Sequence, residues 1–449
     1  MRLSFLLATT LLFASSATFA LPNNPTVARR DAGMAPVTVP LIRRRLEFEK
    51  RDHTHEESTK ISVNPRGTYG KHSKRSAELG RRALSTVDLW IRSSSCVYCA
   101  SHATGALFNQ TESSTFSYVQ GGLDGLFFGE FISGILGSDV VQMGQFQVAS
   151  QVFGLATSVR NTILAGNSSG IMGLGFRPSV ITGAHPWWQQ ASNGWDAPQM
   201  SFYFTRSRSG PYASIEEPGG QFTLGGTNSS LFQGSINFNN LVHEQDWVIL
   251  MDEIGIANNA SIQISSPSQS AAIDMGIEGI GGPSSVLDQF YSLIPGATRS
   301  QISSSLYVIP CNTTVQATLM FGGRTYTMQA SDLIGSKLSG GQQCIGTFFV
   351  LTPRNDLPSS DMPAWRIGSA FLKNVYTVLQ SEPAAIGFAT LRDNVQEFGT
   401  LGFAGLSIDE NGHANAAASP RHRTITLGSG GVFATSVLWA VVGLAAVMS

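Results

Sequence analysis

What most limits the fold of this chain is the way its apolar residues are parcelled. From Asp88 onward they come in short runs rich in β-branched and aromatic residues, separated by Gly, Ser, Asn and Pro. Residues 144–148, 221–224, 247–250 and 376–379 are examples, and 285–293 is the clearest stretch with a helical period. Runs of this length and spacing predict strands joined by tight turns, hence an all-β sandwich or barrel. About 300 residues of such sequence exceed what one small sandwich needs, so two lobes are expected. Hydrophobic residues are 42% of the chain and charged residues only 13%, a balance that excludes a disordered protein. A formal net charge of −1 supplies no field for nucleic acid, which is excluded as a partner.

The charge is unevenly spread. Residues 21–82 hold fourteen Lys or Arg against seven Asp or Glu, a net +7, while residues 83–449 hold fourteen against twenty-three, a net −9. Within the basic segment lie Arg29-Arg30, Arg43-Arg44-Arg45, Lys50-Arg51, Lys74-Arg75 and Arg81-Arg82, paired basics of the kind that kexin-type proteases cut in secreted precursors. The segment has no sustained apolar period and cannot bury much surface alone. Residues 21–82 are therefore expected to be a basic pro-region held electrostatically by an acidic body, with a solvated linker as the alternative.

Both ends carry address labels. Residues 1–20 combine Arg2, an apolar stretch and the small residues Thr18 and Ala20, the pattern of a secretory signal peptide. Residues 432–449 are apolar with nothing polar after them, and 393–431 form a polar linker with a small-residue cluster near Asn415. That arrangement predicts a GPI-anchor signal, with a simple tail anchor as the rival. A glycosylated protein, secreted and tethered at the cell surface or wall, follows. Five sequons at Asn109, Asn167, Asn228, Asn259 and Asn312 agree with it. Four cysteines, Cys96, Cys99, Cys311 and Cys344, fit one short and one long disulfide loop in an oxidising compartment. Cys96-x-x-Cys99 is also a redox or half-metal pattern, but no second Cys or His pair completes a tetrahedral zinc site, and neither metal nor cofactor is expected.

Chemistry enters through an apolar strand that ends in Asp274 and Gly276 and continues to Gly281, Gly282 and Pro283. It resembles the second catalytic loop of the pepsin-like aspartic proteases. The resemblance continues in order. Residues 88–96 look like the strand after the family's first catalytic loop, 134–139 the segment after the flap, and 170–176 the glycine motif that closes the first loop. Residues 220–226, 365–376 and 386–389 match as well, and the whole covers about two thirds of the chain. Cys311 and Cys344 fall where the family has its second-lobe disulfide, and Cys96 with Cys99 matches a shortened first-lobe loop. The resemblance implies an all-β, bilobal pepsin-like fold with a polypeptide bound between an N-terminal lobe over 83–245 and a C-terminal lobe over 246–392, in a monomer. It also implies hydrolysis by two aspartates that share a proton, because like charges at about 3 Å cannot both ionise.

The departures fall on that chemistry. Alignment on Asp88-Leu89-Trp90 puts Ala83, Leu84 and Ser85 where Asp, Thr and Gly should stand, and the strands that should precede them are missing. Met275 and Ile277 replace hydroxyl residues beside Asp274, Leu126 stands at the flap tyrosine's place with Tyr118 as the only nearby substitute, Ser369 replaces an Asp, and Arg366 occupies a normally apolar position. A first lobe without its opening strands is expected to be unstable. Weak or no proteolysis is expected, with Asp274 the single catalytic candidate. A faulty gene model would explain the missing first motif but not Met275, Ile277 or Leu126. A peptide- or wall-binding pseudo-protease explains all of them, and a GPI-linked adhesin or lectin is the alternative outside the family.

Overall fold

The computed structural model describes residues 2–7, 10–14, 34–44, 89–97, 107–127, 130–159, 169–176, 182–206, 216–243, 246–301, 303–338, 341–351, 362–393, 395, 406–408, 414–416 and 438–440. The structure is dominated by strands, and alternating burial is their local cause. In β7 (Phe146–Val159), Phe146 and Val148 are buried while Gln147 and Ala149 are exposed. The expected strand at 144–148 starts only at Phe146, because Gly144, at φ 60°, forms the turn. The helix expected at 285–293 is found at Ser284–Ser292, led in by Pro283.

The first-lobe sheet runs β2 (Thr10–Ala14), β1 (Arg2–Leu7), β8 (Gly170–Met172), β4 (Leu89–Arg92), β7, β6 (Glu130–Met143), β5 (Ser117–Phe127). The second lobe has a sheet in the order β12 (Val248–Leu250), β15 (Ser270–Ile273), β24 (Trp365–Ile367), β16 (Ile280–Gly282), β23 (Phe348–Val350). Two four-stranded sheets flank it. One contains β13 (Glu253–Ile256), β14 (Ser261–Gln263), β19 (Ala317–Phe321) and β20 (Arg324–Thr327); the other contains β17 (Thr298–Arg299), β18 (Tyr307–Pro310), β21 (Ile334–Lys337) and β22 (Gln343–Gly346). A shared sheet joins the lobes in the order β11 (Phe232–Asn240), β26 (Ala384–Leu391), β25 (Val375–Ser381), β9 (Gln199–Phe204), β10 (Glu216–Leu224), β3 (Val37–Arg44), with Leu438–Ala440 beyond it. The bilobal all-β expectation matches this layout.

The first-lobe sheet was expected to lack opening strands. Its edge beside β8 is instead occupied by β1, laid parallel with Leu6 opposite Ile171 and Leu7 opposite Met172. One apolar core runs through both lobes, from Leu89 and Phe153 to Phe371 and Phe388. Indole N–H groups inside it find carbonyl acceptors: Trp187 donates to Val141 at 2.9 Å, Trp188 to Gly175 at 2.9 Å and Trp365 to Ser268 at 2.8 Å. Arg206, after β9, and Lys373, before β25, both pair with the buried Asp332 of the second lobe, at 2.6 and 3.1 Å. No helix among the described residues is long and apolar enough to cross a membrane.

Candidate active site

Asp274 is delivered by β15, in which Ala271 and Ile273 are buried. That strand lies parallel to β24, and the Asp274 N–H donates to the Ile367 carbonyl at 3.0 Å. One carboxylate oxygen, Oδ1, accepts the N–H of Gly276 at 2.9 Å, which turns the chain back over the strand end. The turn is clamped from the other side. Ser369 and Ala370 donate their N–H groups to Ile277 and Glu278, at 2.9 and 2.7 Å. A Cβ on Gly368 would lie 2.3 Å from the Gly279 carbonyl oxygen, so only glycine lets the two segments approach this closely. The result is a buried carboxylate whose backbone cannot drift.

Its partner is an arginine. Arg366, the middle residue of the three-residue strand β24, donates from Nε to Asp274 Oδ2 at 3.1 Å and also from Nη2 to the same oxygen. Side-chain exposure is 20% for Arg366 and 8% for Asp274, so the pair sits largely out of water. A guanidinium has donors only and neither accepts nor relays a proton. The couple is therefore an ion pair, not two carboxyls sharing one proton.

The first lobe repeats the strand arrangement that delivers Asp274. Five of its strands repeat the second-lobe pairing with the same orientations. In the second lobe β15 is antiparallel to β12 and parallel to β24, β24 is antiparallel to β16, and β16 is parallel to β23. In the first lobe β1 is antiparallel to β2 and parallel to β8, β8 is antiparallel to β4, and β4 is parallel to β7. Ile273 opposite Ile367 thus corresponds to Leu7 opposite Met172. Asp274 follows Ile273 in the sequence, and Ala8 follows Leu7. The strand that stands in the place of a first catalytic strand ends without an acid. The two halves also touch: Trp247 donates its indole N–H to the Leu174 carbonyl at 2.8 Å and accepts the Ile273 N–H at 2.9 Å.

β5 and β6 form the hairpin at the flap position, with Leu126 opposite Phe131, one pair from Phe127 and Glu130. Tyr118 is at the far end of the hairpin, opposite Gly137, 67% exposed and edge-on to Phe116 at 5.1 Å. It does not replace a flap tyrosine. Ala83, Leu84 and Ser85 lie outside the described residues, as do Cys99 and Asn167. Cys311 and Cys344 are disulfide-bonded, and Cys96 is in a disulfide as well. Of the sequon asparagines, Asn259 and Asn312 are exposed. Asn109 donates to Glu112 at 2.8 Å and Asn228 to Gln221 at 3.0 Å. The sequence pointed to Arg366 only as out of place. Its pairing with Asp274 was missed, although an arginine between two buried residues on so short a strand signals a buried acid nearby.

The profile of a family described as eukaryotic aspartyl protease matches residues 85–391. Major aspartyl peptidase 1 of Cryptococcus neoformans var. grubii is 37% identical over 319 residues, covering 68% of this chain and 64% of that protein. The match therefore spans just under two thirds of that relative. An aspartic protease of Phaffia rhodozyma is 29% identical over 316 residues, covering 67% and 70%. Cathepsin D of Homo sapiens is 27% identical over 324 residues, covering 67% and 74%.

Proposed function

Because the chain belongs to the eukaryotic aspartyl protease family, we propose that it keeps the family's inter-lobe cleft for holding a polypeptide but does not hydrolyse it. The observation that carries this reading is the ion pair that Arg366 makes with Asp274, the catalytic candidate. General acid–base attack of water on a peptide needs one group to take a proton and another to give one. Asp274 supplies at most one of these roles, and Arg366 supplies neither. Met275 and Ile277 place no side-chain hydroxyl beside the carboxylate. Leu126 brings no phenol to the flap hairpin.

The setting we propose for this cleft is extracytoplasmic. A signal peptide over 1–20, a pro-region over 21–82, glycans on the sequon asparagines and a GPI anchor near Asn415 would give a monomer displayed at the cell surface or wall. Family membership and the Cys311–Cys344 bond speak against an unrelated adhesin or lectin. Removal of residues 1–20 would also take away β1 and β2 and leave β8 as a sheet edge. The test is to immobilise a denatured polypeptide, pass the purified mature protein over it at acidic pH, and follow both retention and cleavage. Retention without new fragments is expected; steady release of fragments would overturn the proposal.

A second reading has one observation in its favour: the family match starts at residue 85, where the first motif would just have ended. On that reading the genomic DNA upstream of the Leu84 codon encodes Asp-Thr-Gly and its strand, and the complete protein is an acid endopeptidase. Sequencing that region decides between the two.

A further inference from the structure

The strand Val37–Arg44 lies inside the region assigned to the pro-segment, yet it is built into the sheet that joins the two lobes. It pairs antiparallel with β10 from Val37 opposite Leu224 to Arg44 opposite Glu216, with one irregularity between Pro218 and Gly220. The body is shaped to receive it. The Thr38 and Thr223 hydroxyls meet at 3.2 Å, Met34 donates its N–H to the Gly194 carbonyl at 3.1 Å, and Gln145 Nε2 donates to the Ala35 carbonyl at 2.7 Å. Gly226 leaves room for Pro36, since a Cβ there would lie 2.8 Å from the ring. Gly144 does the same for Val37, whose methyl would be 2.7 Å away. In register, Arg43 and Arg44 stand opposite Glu217 and Glu216.

Paired basics bracket this strand, Arg29-Arg30 before it and Arg43-Arg44-Arg45 at its end. A further pair, Arg81-Arg82, leaves only residues 83–88 before β4 begins at Leu89. Six extended residues reach about 20 Å, too little to lay an eight-residue strand along β10 and connect it to β4. Residues 83–88 therefore cannot take over the edge. We propose that after cleavage at the paired basics the segment containing Met34 to Ile42 stays with the body as a separate, non-covalently held strand. It would bind by strand addition, with backbone pairing supplying affinity and the Pro36 and Val37 seats supplying register. This rests on the reading of residues 21–82 as a processed pro-region.

The experiment uses the chain from residue 21, so that the released fragment does not also carry β1, with a recognition site for an unrelated sequence-specific protease placed at residues 46–52. The cut is then imposed whether or not the natural basics are used. After digestion, the protein is run on native gel filtration and the body fraction is denatured for intact mass measurement. The N-terminal fragment carrying residues 34–42 is expected in the body fraction at one copy per body, and its elution as a free fragment overturns the proposal. Val37→Asp, which alters the fragment and not the body, is expected to lower the co-eluting share at least about tenfold. Gly226→Val is expected to do the same from the body side. Unchanged co-elution of the Val37→Asp fragment would mean that the seat is not what holds it, and would also overturn the proposal. A parallel digestion of the unmodified chain with a kexin-type protease tests the underlying reading separately. Failure to cut at the basic pairs removes the pro-region assignment without touching the result from the imposed cut.

Discussion

The two lobes present the same five-strand pairing with opposite chemical outcomes. In the second lobe the strand parallel to β24 belongs to the lobe's own stretch of sequence, ends in Asp274 and is clamped by Gly368, Ser369 and Ala370. In the first lobe the corresponding strand is β1, drawn from the far N-terminus and followed by Ala8. A backbone ladder is indifferent to the side chain that follows its last pair, so Leu7 completes the sheet as well as Ile273 does. Chemistry is not indifferent: in the sequence, Asp follows one strand and Ala the other. The scaffold and the catalytic couple are thus separable, and the charge that faces Asp274 from within the same lobe is that of Arg366.

This contrast can be broken from either side. The largest effect is expected from removing residues 1–20, as signal cleavage would. The first lobe loses β1 and β2, and its β6 and β7 amides should lose protection in hydrogen exchange by on the order of ten-thousandfold. The second-lobe amides of β18 and β19 should keep theirs, and equal loss in both lobes would show that they do not fold as separable units. Next comes the disulfide, which belongs to the second lobe alone. Replacing both Cys311 and Cys344 by Ser opens a loop of 33 residues. The loss expected in chemical denaturation is about 3–4 kcal/mol. Arg366→Leu follows, because it leaves Asp274 buried without its counter-charge, at about 3 kcal/mol. Adding Asp274→Asn should recover most of that loss, which a purely steric role for Arg366 would not allow.

The smallest effect concerns acid. Burial would raise the Asp288 carboxyl, but hydrogen bonds from Arg299 and Tyr307, with the Arg299 charge, outweigh it and hold its pKa below the usual 3.8. The same group of side chains pushes the Tyr307 phenol up to about 12, with burial as the first cause and the Asp288 hydrogen bond as the second. A lowered carboxyl pKa contributes stability that is complete above the unfolded value and fades as the pH falls through the folded one. Asp288→Asn should therefore cost a few tenths of a kcal/mol near neutrality, as befits a half-exposed pair, and nothing once the pH is well below 3.8. A urea midpoint difference that persists in strong acid would contradict this assignment.

Much of the scaffold was legible in the sequence because it rests on local rules. Short β-rich runs between turn residues announced the strands, and the helical period over 285–293 announced the helix. The order of motifs from Trp90 to Phe388 announced the two lobes. Asp274 was legible because a strand end followed by Gly276 is a local pattern. Arg366 as its partner was not, since 92 residues separate the two and only the parallel pairing of β15 with β24 brings them together. The seat of Val37–Arg44 was hidden for the same reason. Its partners Gly144, Gly194 and Gly226 are ordinary turn glycines until the sheet is assembled around them.

The central question is whether Asp274, paired with Arg366, can hydrolyse a peptide. Purified mature protein and its Asp274→Asn variant should be incubated with a denatured protein at acidic pH, with and without pepstatin, and the products weighed. The account predicts no fragments from either protein above a substrate-only control. Fragments that form with the unmodified protein, are blocked by pepstatin and vanish with Asp274→Asn would contradict it.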